Sequence, residues 1–133
     1  MTRDLKFVDS GVFIALFRTN DEQHQRAKEL LGAESGEKLV CPIPVLQEVA
    51  ERIRRLDGNR KASEVVNTML NAGLSIEAPR DAELSGAAKI MSKYAQLSYC
   101  DAVLCAMMRE RRVKRVLSFD SDFDVVADLA RVH

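Results

Sequence analysis

Near its start the chain carries the sequence LKFVDSGVFIALF, residues 5–17. Residues 5–8 form a short apolar run typical of a buried β-strand, and residues 12–17 are apolar on every side, as in a buried helix. Only residues 9–11 separate the two, so we predict that the strand passes almost directly into the helix. This arrangement is typical of folds in which helices cover a mostly parallel sheet.

The rest of the chain repeats the alternation of strand and helix. Apolar runs predict further strands at residues 39–41, 74–76 and 115–118, with a short final strand at 131–133. Helical periodicity and capping residues predict helices at residues 21–31, 44–56, 59–70, 81–95, 98–109 and 125–129. We therefore expect an α/β fold, in which a mostly parallel sheet of four or five strands forms a single domain over residues 1–133.

Composition and charge give no support to binding of nucleic acid through overall charge, to a zinc site or to a membrane partner. The 133 residues include 20 Lys and Arg against 20 Asp and Glu, so a nucleic-acid partner would have to be recognised by a local site. Cys41, Cys100 and Cys105 lie in apolar surroundings without a CxxC pair, which favours buried free thiols over a zinc site. With no long apolar segment and no leader-like start, the sequence predicts a cytoplasmic protein without a membrane partner.

Four acids are the main candidates for a functional site: Asp9, Glu48, Asp101 and Asp120. Each lies in or beside an apolar run. Burying an isolated carboxylate costs several kcal/mol, so such a group must become neutral, pair with a base or bind a cation. Asp9 and Asp120 each end a predicted strand, and sites in parallel sheets form at those ends. The pattern predicts a site for a hard divalent cation, Mg²⁺ or Mn²⁺.

Each of these acids also has a purely structural interpretation. Asp9 and Asp120 suit the N-cap of a helix, and Glu48 could belong to an exposed acidic face with Glu51. Asp101 follows Ser98 at the spacing of a capping box, although Glu or Gln is usual there. A capping role and a metal-binding role can coexist, because a first-turn acid projects from the positive end of its helix.

Two basic clusters lie near predicted helix C-termini, where cations complement the helix dipole. They are Arg52, Arg54, Arg55, Arg60 and Lys61, and Arg109, Arg111, Arg112, Lys114 and Arg115. A solvated surface is the favoured interpretation of both, with an RNA-binding surface as the alternative. The sequence has no Gly-rich phosphate-binding loop, and neither histidine is placed for a nucleophilic triad.

The sequence as a whole resembles the PIN-domain ribonucleases, most closely the VapC-like toxins of prokaryotic toxin–antitoxin pairs. The matching segments are VDSGVFIAL at residues 8–16, PVLQEV at 44–49, LSYCDA at 97–102 and VLSFDSDFD at 116–124. Each segment alone is weakly specific, but all four occur in order and with family-like spacing. The resemblance implies a three-layer α/β/α sandwich.

The resemblance also implies a metal-dependent endoribonuclease that hydrolyses RNA phosphodiester bonds. Asp9, Glu48, Asp101 and Asp120 would be its catalytic acids and would bind one or two Mg²⁺ or Mn²⁺ ions. Asp122 matches a frequent additional acid of the family. Ser10 and Ser118 match hydroxyls that orient ligands or waters; many relatives have Thr where this chain has Ser.

Partners are likewise implied by the resemblance. They are an RNA substrate, an antitoxin protein that covers the acidic pocket and an adjoining apolar groove, and a second copy of the chain in a homodimer. Two other functions stay open at this point. One is a housekeeping RNA-processing nuclease of the same family, and the other is a catalytically silent RNA-binding or interaction module.

Overall fold

The computed structural model describes residues 4–133, so the first three residues of the predicted domain lie outside the described range. Within that range the strands are β1 Lys6–Val8, β2 Leu39–Pro42, β3 Ser75–Glu77, β4 Arg115–Leu117 and β5 Ala130–Val132. They form one sheet in the order β3-β2-β1-β4-β5, and every neighbouring pair is parallel. The predicted parallel sheet is confirmed, with five strands.

Helices connect the strands. They are α1 Ser10–Phe17, α2 His24–Gly32, α3 Ile43–Asp57, α4 Asn59–Leu70, α5 Asp81–Lys93 and α6 Tyr99–Glu110. Helix α1 contacts α2 and α3, α3 contacts α4, and α5 contacts α6. Right-handed crossovers place α1 to α4 on one face of the sheet and α5 and α6 on the other. This is the three-layer sandwich that the sequence predicts.

Burial explains which helices line the core. Helix α6 is buried at all residues from Ala102 to Met108, as expected for a helix between a sheet and a second helix. Helix α3 buries only one stripe, Val45, Val49 and Ile53, each fully inaccessible to solvent. Its remaining faces are therefore free to carry polar side chains.

Two predicted helices differ from those observed. The second helix starts at His24 rather than at residue 21, because the Asp21 carboxylate accepts a hydrogen bond from the backbone N–H of Gln23 and holds a turn there. The helix predicted at 125–129 is wrong. The structure instead has a 3₁₀ turn earlier in the chain, at Ser121–Val125, because Asp120 caps that segment.

The strand order fixes where a site can form. From β1 the chain winds outward to β2 and β3, then crosses back to β4 on the other side of β1. A crevice opens at the carboxyl ends of the strands where the winding reverses, here β1 and β4. Asp9 directly follows β1, and Ser118 directly follows β4. Within residues 4–133, no helix has the length and apolar character needed to cross a bilayer.

Candidate metal centre

A cavity of about 930 Å³ opens at the carboxyl ends of β1 and β4. The predicted acids that line it, together with one predicted hydroxyl residue, are Asp9, Ser10, Glu48, Asp101, Asp120 and Asp122. Ser118 lies beneath them and is completely buried. The structure thus brings all the sequence-predicted residues to one place, while their roles as ligands or catalysts stay a prediction.

Asp9 forms the floor of this acidic cavity and is only 6% exposed. It is the N-cap of α1, where its Oδ1 accepts a hydrogen bond of 2.8 Å from the N–H of Ser10. Its Oδ2 accepts one of 2.9 Å from the hydroxyl of Ser118. Burial raises the pKa of Asp9 to about 7, and the charges of Asp101 and Glu48 add to the rise. The two hydrogen bonds oppose it but do not cancel it.

Glu48 reaches the cavity from α3 and is held by Ser10. The Ser10 hydroxyl donates a hydrogen bond to Glu48 Oε1 and so ties the start of α1 to α3. Unlike Asp9, Glu48 is exposed. The acidic cavity therefore runs from a buried carboxylate at its floor to a solvated one at its rim.

Asp101 has the structural role that its spacing from Ser98 predicts, and it also lines the cavity. The Ser98 N–H donates to Asp101 Oδ2 and the Asp101 N–H donates to Ser98 Oγ, each at 3.2 Å, which completes a capping box at the start of α6. Burial raises the pKa of Asp101, and repulsion from Asp120 and Glu48 contributes. The Asp101 side chain therefore belongs both to the capping box of α6 and to the lining of the acidic cavity.

The segment after β4 supplies two further acids. The N–H of Asp120 donates to Ser118 Oγ at 3.0 Å, so this hydroxyl links Asp120 to Asp9. Asp120 Oδ1 accepts from the N–H of Asp122 at 2.9 Å. The charge of Asp120 raises the pKa of Asp122. Ser118 is thus the hydrogen-bonded centre of this side of the cavity.

Arg131 supports that segment from β5, a role that sequence reasoning missed. Its Nε donates to Asp124 Oδ1 at 2.9 Å, and its Nη1 donates to the Ser118 carbonyl at 3.3 Å. The Arg131 side chain is 13% exposed. It therefore fastens both ends of the loop that carries Asp120. No sequence motif around Arg131 indicates that its side chain reaches the segment after β4.

The chemistry of the donors fits a divalent cation. Six carboxylates line the cavity against two guanidinium groups, counting Glu51, Arg52 and Arg55 with the predicted acids. Among residues 4–133, none of the five predicted acids forms an ion pair. The buried carboxylate of Asp9, without a cationic partner among residues 4–133, favours an external cation, and hard oxygen donors suit Mg²⁺ or Mn²⁺.

The carboxylates are nevertheless not closed into a ligand shell. Within the described part of the chain, no group of three or more acidic, His or Cys side chains is arranged to hold an ion as it stands. Burial is the main cause of the raised pKa values of Asp9 and Asp101, and repulsion between like charges adds to it. A cation would relieve that repulsion and draw the oxygens together.

Comparison with known proteins agrees with the fold. The sequence model of the PIN domain matches residues 6–129. The chain belongs to the PIN-domain family. At 28% identity over 130 residues, this PIN domain matches a VapC ribonuclease of Mycobacterium bovis and the ribonuclease VapC13 of Mycobacterium tuberculosis. Each alignment covers 94% of the chain and 97% of the relative.

Solved structures share the same architecture. The Mycobacterium tuberculosis toxin VapC20, which cleaves the sarcin–ricin loop, superposes with a TM-score of 0.84 at 23% identity, covering 92% of this chain and 95% of that one. FitAcB of Neisseria gonorrhoeae gives 0.75 at 16% identity, with 97% of both chains covered. DNA-bound VapBC of Salmonella typhimurium gives 0.71 at 13%, covering 96% and 97%. These likenesses establish the fold of this PIN domain.

Proposed function

We propose that this PIN domain is a metal-dependent endoribonuclease and the toxin of a toxin–antitoxin pair. The observation that carries the proposal is the acidic cavity, where five carboxylates without ion-pair partners among residues 4–133 meet at the reversal point of a parallel sheet. The curated relatives, named as VapC ribonucleases, support an RNA substrate. We further propose that residues 1–133 form one domain that works in the cytoplasm.

Asp9, Glu48, Asp101 and Asp120 would hold one or two Mg²⁺ or Mn²⁺ ions, with Asp122 as an additional ligand. A bound ion would supply a water of lowered pKa and neutralise charge on the scissile phosphate.

The chain's own residues prepare the site for that chemistry. Ser118 fixes the rotamer of Asp9, and Ser10 fixes that of Glu48, so both carboxylates face the cavity before any ion arrives. Without an ion, the carboxylates repel an RNA phosphate.

An antitoxin and a second copy of the chain are the protein partners that we propose. Support for the antitoxin comes from structural neighbours described as toxin–antitoxin complexes, including one from Klebsiella pneumoniae with a TM-score of 0.70 at 16% identity. Co-expression with the product of an adjacent gene, followed by a cleavage assay on the purified complex, tests the antitoxin. A tight complex with undiminished cleavage would contradict an antitoxin that covers the acidic cavity.

Asp101→Asn tests the metal centre. Asn keeps an oxygen for the Ser98 N–H, so the capping box and the fold should persist while a ligand charge is lost. We expect no RNA cleavage and a smaller rise in melting temperature on adding Mn²⁺. For the unchanged protein, an ion at a hundred times its Kd stabilises by about 2.7 kcal/mol.

Asp128→Asn is the matched control, because Asp128 is exposed, lies outside the acidic cavity and pairs only with Arg109 among residues 4–133. It should leave cleavage and the Mn²⁺ response unchanged. Cleavage by Asp101→Asn at the unmodified rate would assign Asp101 to capping alone. RNA cleavage in EDTA would refute the metal-dependent mechanism.

A further inference from the structure

Helix α3 carries a change of charge along one face. Glu48, Arg52 and Arg55 occupy positions i, i+4 and i+7, so their side chains lie above one another. At 1.5 Å per residue, Arg52 is about 6 Å and Arg55 about 10 Å further along the helix than Glu48. The buried stripe of α3 faces elsewhere. The face that begins in the acidic cavity therefore ends in two guanidinium groups.

A second cavity, of about 470 Å³, continues the acidic one along this face. We call it the basic groove, and its lining residues are Ile14, Arg18, Asp21, Arg52, Arg55 and Leu56. Ile14, Arg52 and Arg55 line both cavities, so the two are contiguous. Three guanidinium groups against one carboxylate line the basic groove, which is the reverse of the balance in the acidic cavity.

The cations of the basic groove differ in how far they are already engaged. Arg18 donates two hydrogen bonds, of 2.9 and 3.2 Å, to the Asp57 carboxylate and is neutralised by it. Arg52 and Arg55 are exposed and form no ion pair with any residue in the range 4–133. They are the groove's available positive charges.

A role in stabilising the fold accounts for Arg52 poorly and for Arg55 only in part. Cations in the last turn of a helix complement its dipole, and this suits Arg54 and Arg55 but not Arg52, which lies a turn earlier. A surface ion-pair network would engage them, yet Glu51 pairs with Arg54 instead. What Arg52 and Arg55 share is the boundary between the acidic cavity and the basic groove.

We propose that Arg52 and Arg55 bind backbone phosphates of the RNA strand next to the one that is cleaved, and lead that strand out of the acidic cavity along the basic groove. This rests on the proposed ribonuclease function. One guanidinium group can donate two parallel hydrogen bonds to a phosphate. The chain's overall charge of zero provides no general attraction for RNA, so its binding has to depend on such local contacts. Ile14 and the half-exposed Leu56 offer the RNA bases an apolar surface that forms no hydrogen bonds with them and so does not select a base.

The test is the salt dependence of RNA binding by Arg52→Ala/Arg55→Ala. All proteins carry Asp101→Asn to suppress cleavage, and fluorescence anisotropy follows a fluorescein-labelled oligouridylate in Mn²⁺ over about 50 to 200 mM salt. Each lost phosphate contact lowers the slope of log K against log salt by about 0.7 for a single strand. We expect the slope to fall by about 1.4 and affinity at low salt to fall roughly tenfold.

Arg60→Ala/Lys89→Ala is the charge-matched control, since both residues are exposed and line neither cavity. It should keep the slope of the parent protein. Circular dichroism checks that both double variants fold. Alanine at exposed helix positions favours the helical conformation, so we expect both to fold. An unchanged slope for Arg52→Ala/Arg55→Ala, an equal fall in the control, or no binding by the parent protein would overturn the proposal. Binding of an acidic peptide to the basic groove, without binding of the oligouridylate, would also overturn the proposal.

Cleavage by the same Arg variants with Asp101 restored separates this proposal from the proposed function. An unchanged binding slope together with Mn²⁺-dependent cleavage overturns the phosphate contacts and leaves the nuclease intact. A reduced slope without cleavage by any protein of the series supports the phosphate contacts and removes the nuclease.

Discussion

Replacing Asp9 by Asn should stabilise the metal-free protein, and the gain should grow with pH. Asp9 has a pKa of about 7 when folded, against an ordinary value of 3.8. From about pH 4 to 7 the folded protein keeps a proton that the unfolded chain has released, so its stability falls as pH rises. Above pH 7 the full cost is present, at most about 4 kcal/mol.

The hydrogen bonds of Asp9 reduce the expected gain. Asn keeps an oxygen for the Ser10 N–H, but its amide must donate to a Ser118 hydroxyl that already accepts from Asp120. Weakening one hydrogen bond costs about 1 kcal/mol. Asp9→Asn should therefore add about 2 to 3 kcal/mol near pH 8, and nothing or a slight loss near pH 4.

Urea unfolding in EDTA at a series of pH values measures this difference. Asp128→Asn, which removes an exposed carboxylate of the same kind, should show no comparable trend. A gain that is independent of pH would show that Asp9 ionises normally. A loss of stability at pH 8 would show that its capping and hydrogen bonds outweigh the cost of its burial.

Three further predictions concern other parts of the molecule. Arg111→Met leaves Glu83, only 2% exposed, without its cation and should lower the free energy of unfolding by about 3 to 5 kcal/mol; an unchanged urea midpoint would contradict this. Gly36→Ala places a Cβ 2.8 Å from a backbone oxygen and should cost about 1 to 3 kcal/mol in thermal unfolding, whereas Gly32→Ala, which meets nothing, should cost none. Ser118→Ala removes a hydrogen bond that lowers the pKa of Asp9, so calorimetric titration should find Mn²⁺ binding displaced to higher pH, and an unmoved profile would refute the link.

The sequence predicts the sheet, and the meeting of the acids in one cavity, because both depend on local patterns. Short apolar runs mark the strands. Asp9 and Asp120 each cap the helix or turn that directly follows, and Asp101 completes the capping box at the start of its own helix. Capping needs only neighbouring residues, so it can be recognised in the sequence. The same residues reach one cavity because the capped elements start at the carboxyl ends of the strands or beside them.

Contacts between distant segments were not predictable in the same way. Arg131 and Ser118 meet only because β5 pairs with β4, and Arg111 joins Glu77 and Glu83 from different elements. In the sequence Arg111 belongs to a basic cluster interpreted as a solvated surface, but its side chain is 14% exposed and engaged by two acids. Arg52, a member of the other basic cluster, could have been placed beside the acidic site from the sequence, since its spacing from Glu48 is helical.

Truncation before β5 should impair the acidic cavity without removing any of its acids. The N–H of Ser118 donates to the carbonyl of Val132 at 3.1 Å, and Arg131 holds the loop that carries Asp120. The Ser118 hydroxyl in turn donates to Asp9, 109 residues earlier in the chain. A chain cut after residue 129 would keep all five predicted acids but lack the β5 contacts that hold Ser118 and the loop of Asp120 in place. The proposed nuclease would then have its ligands but not the support that orients them.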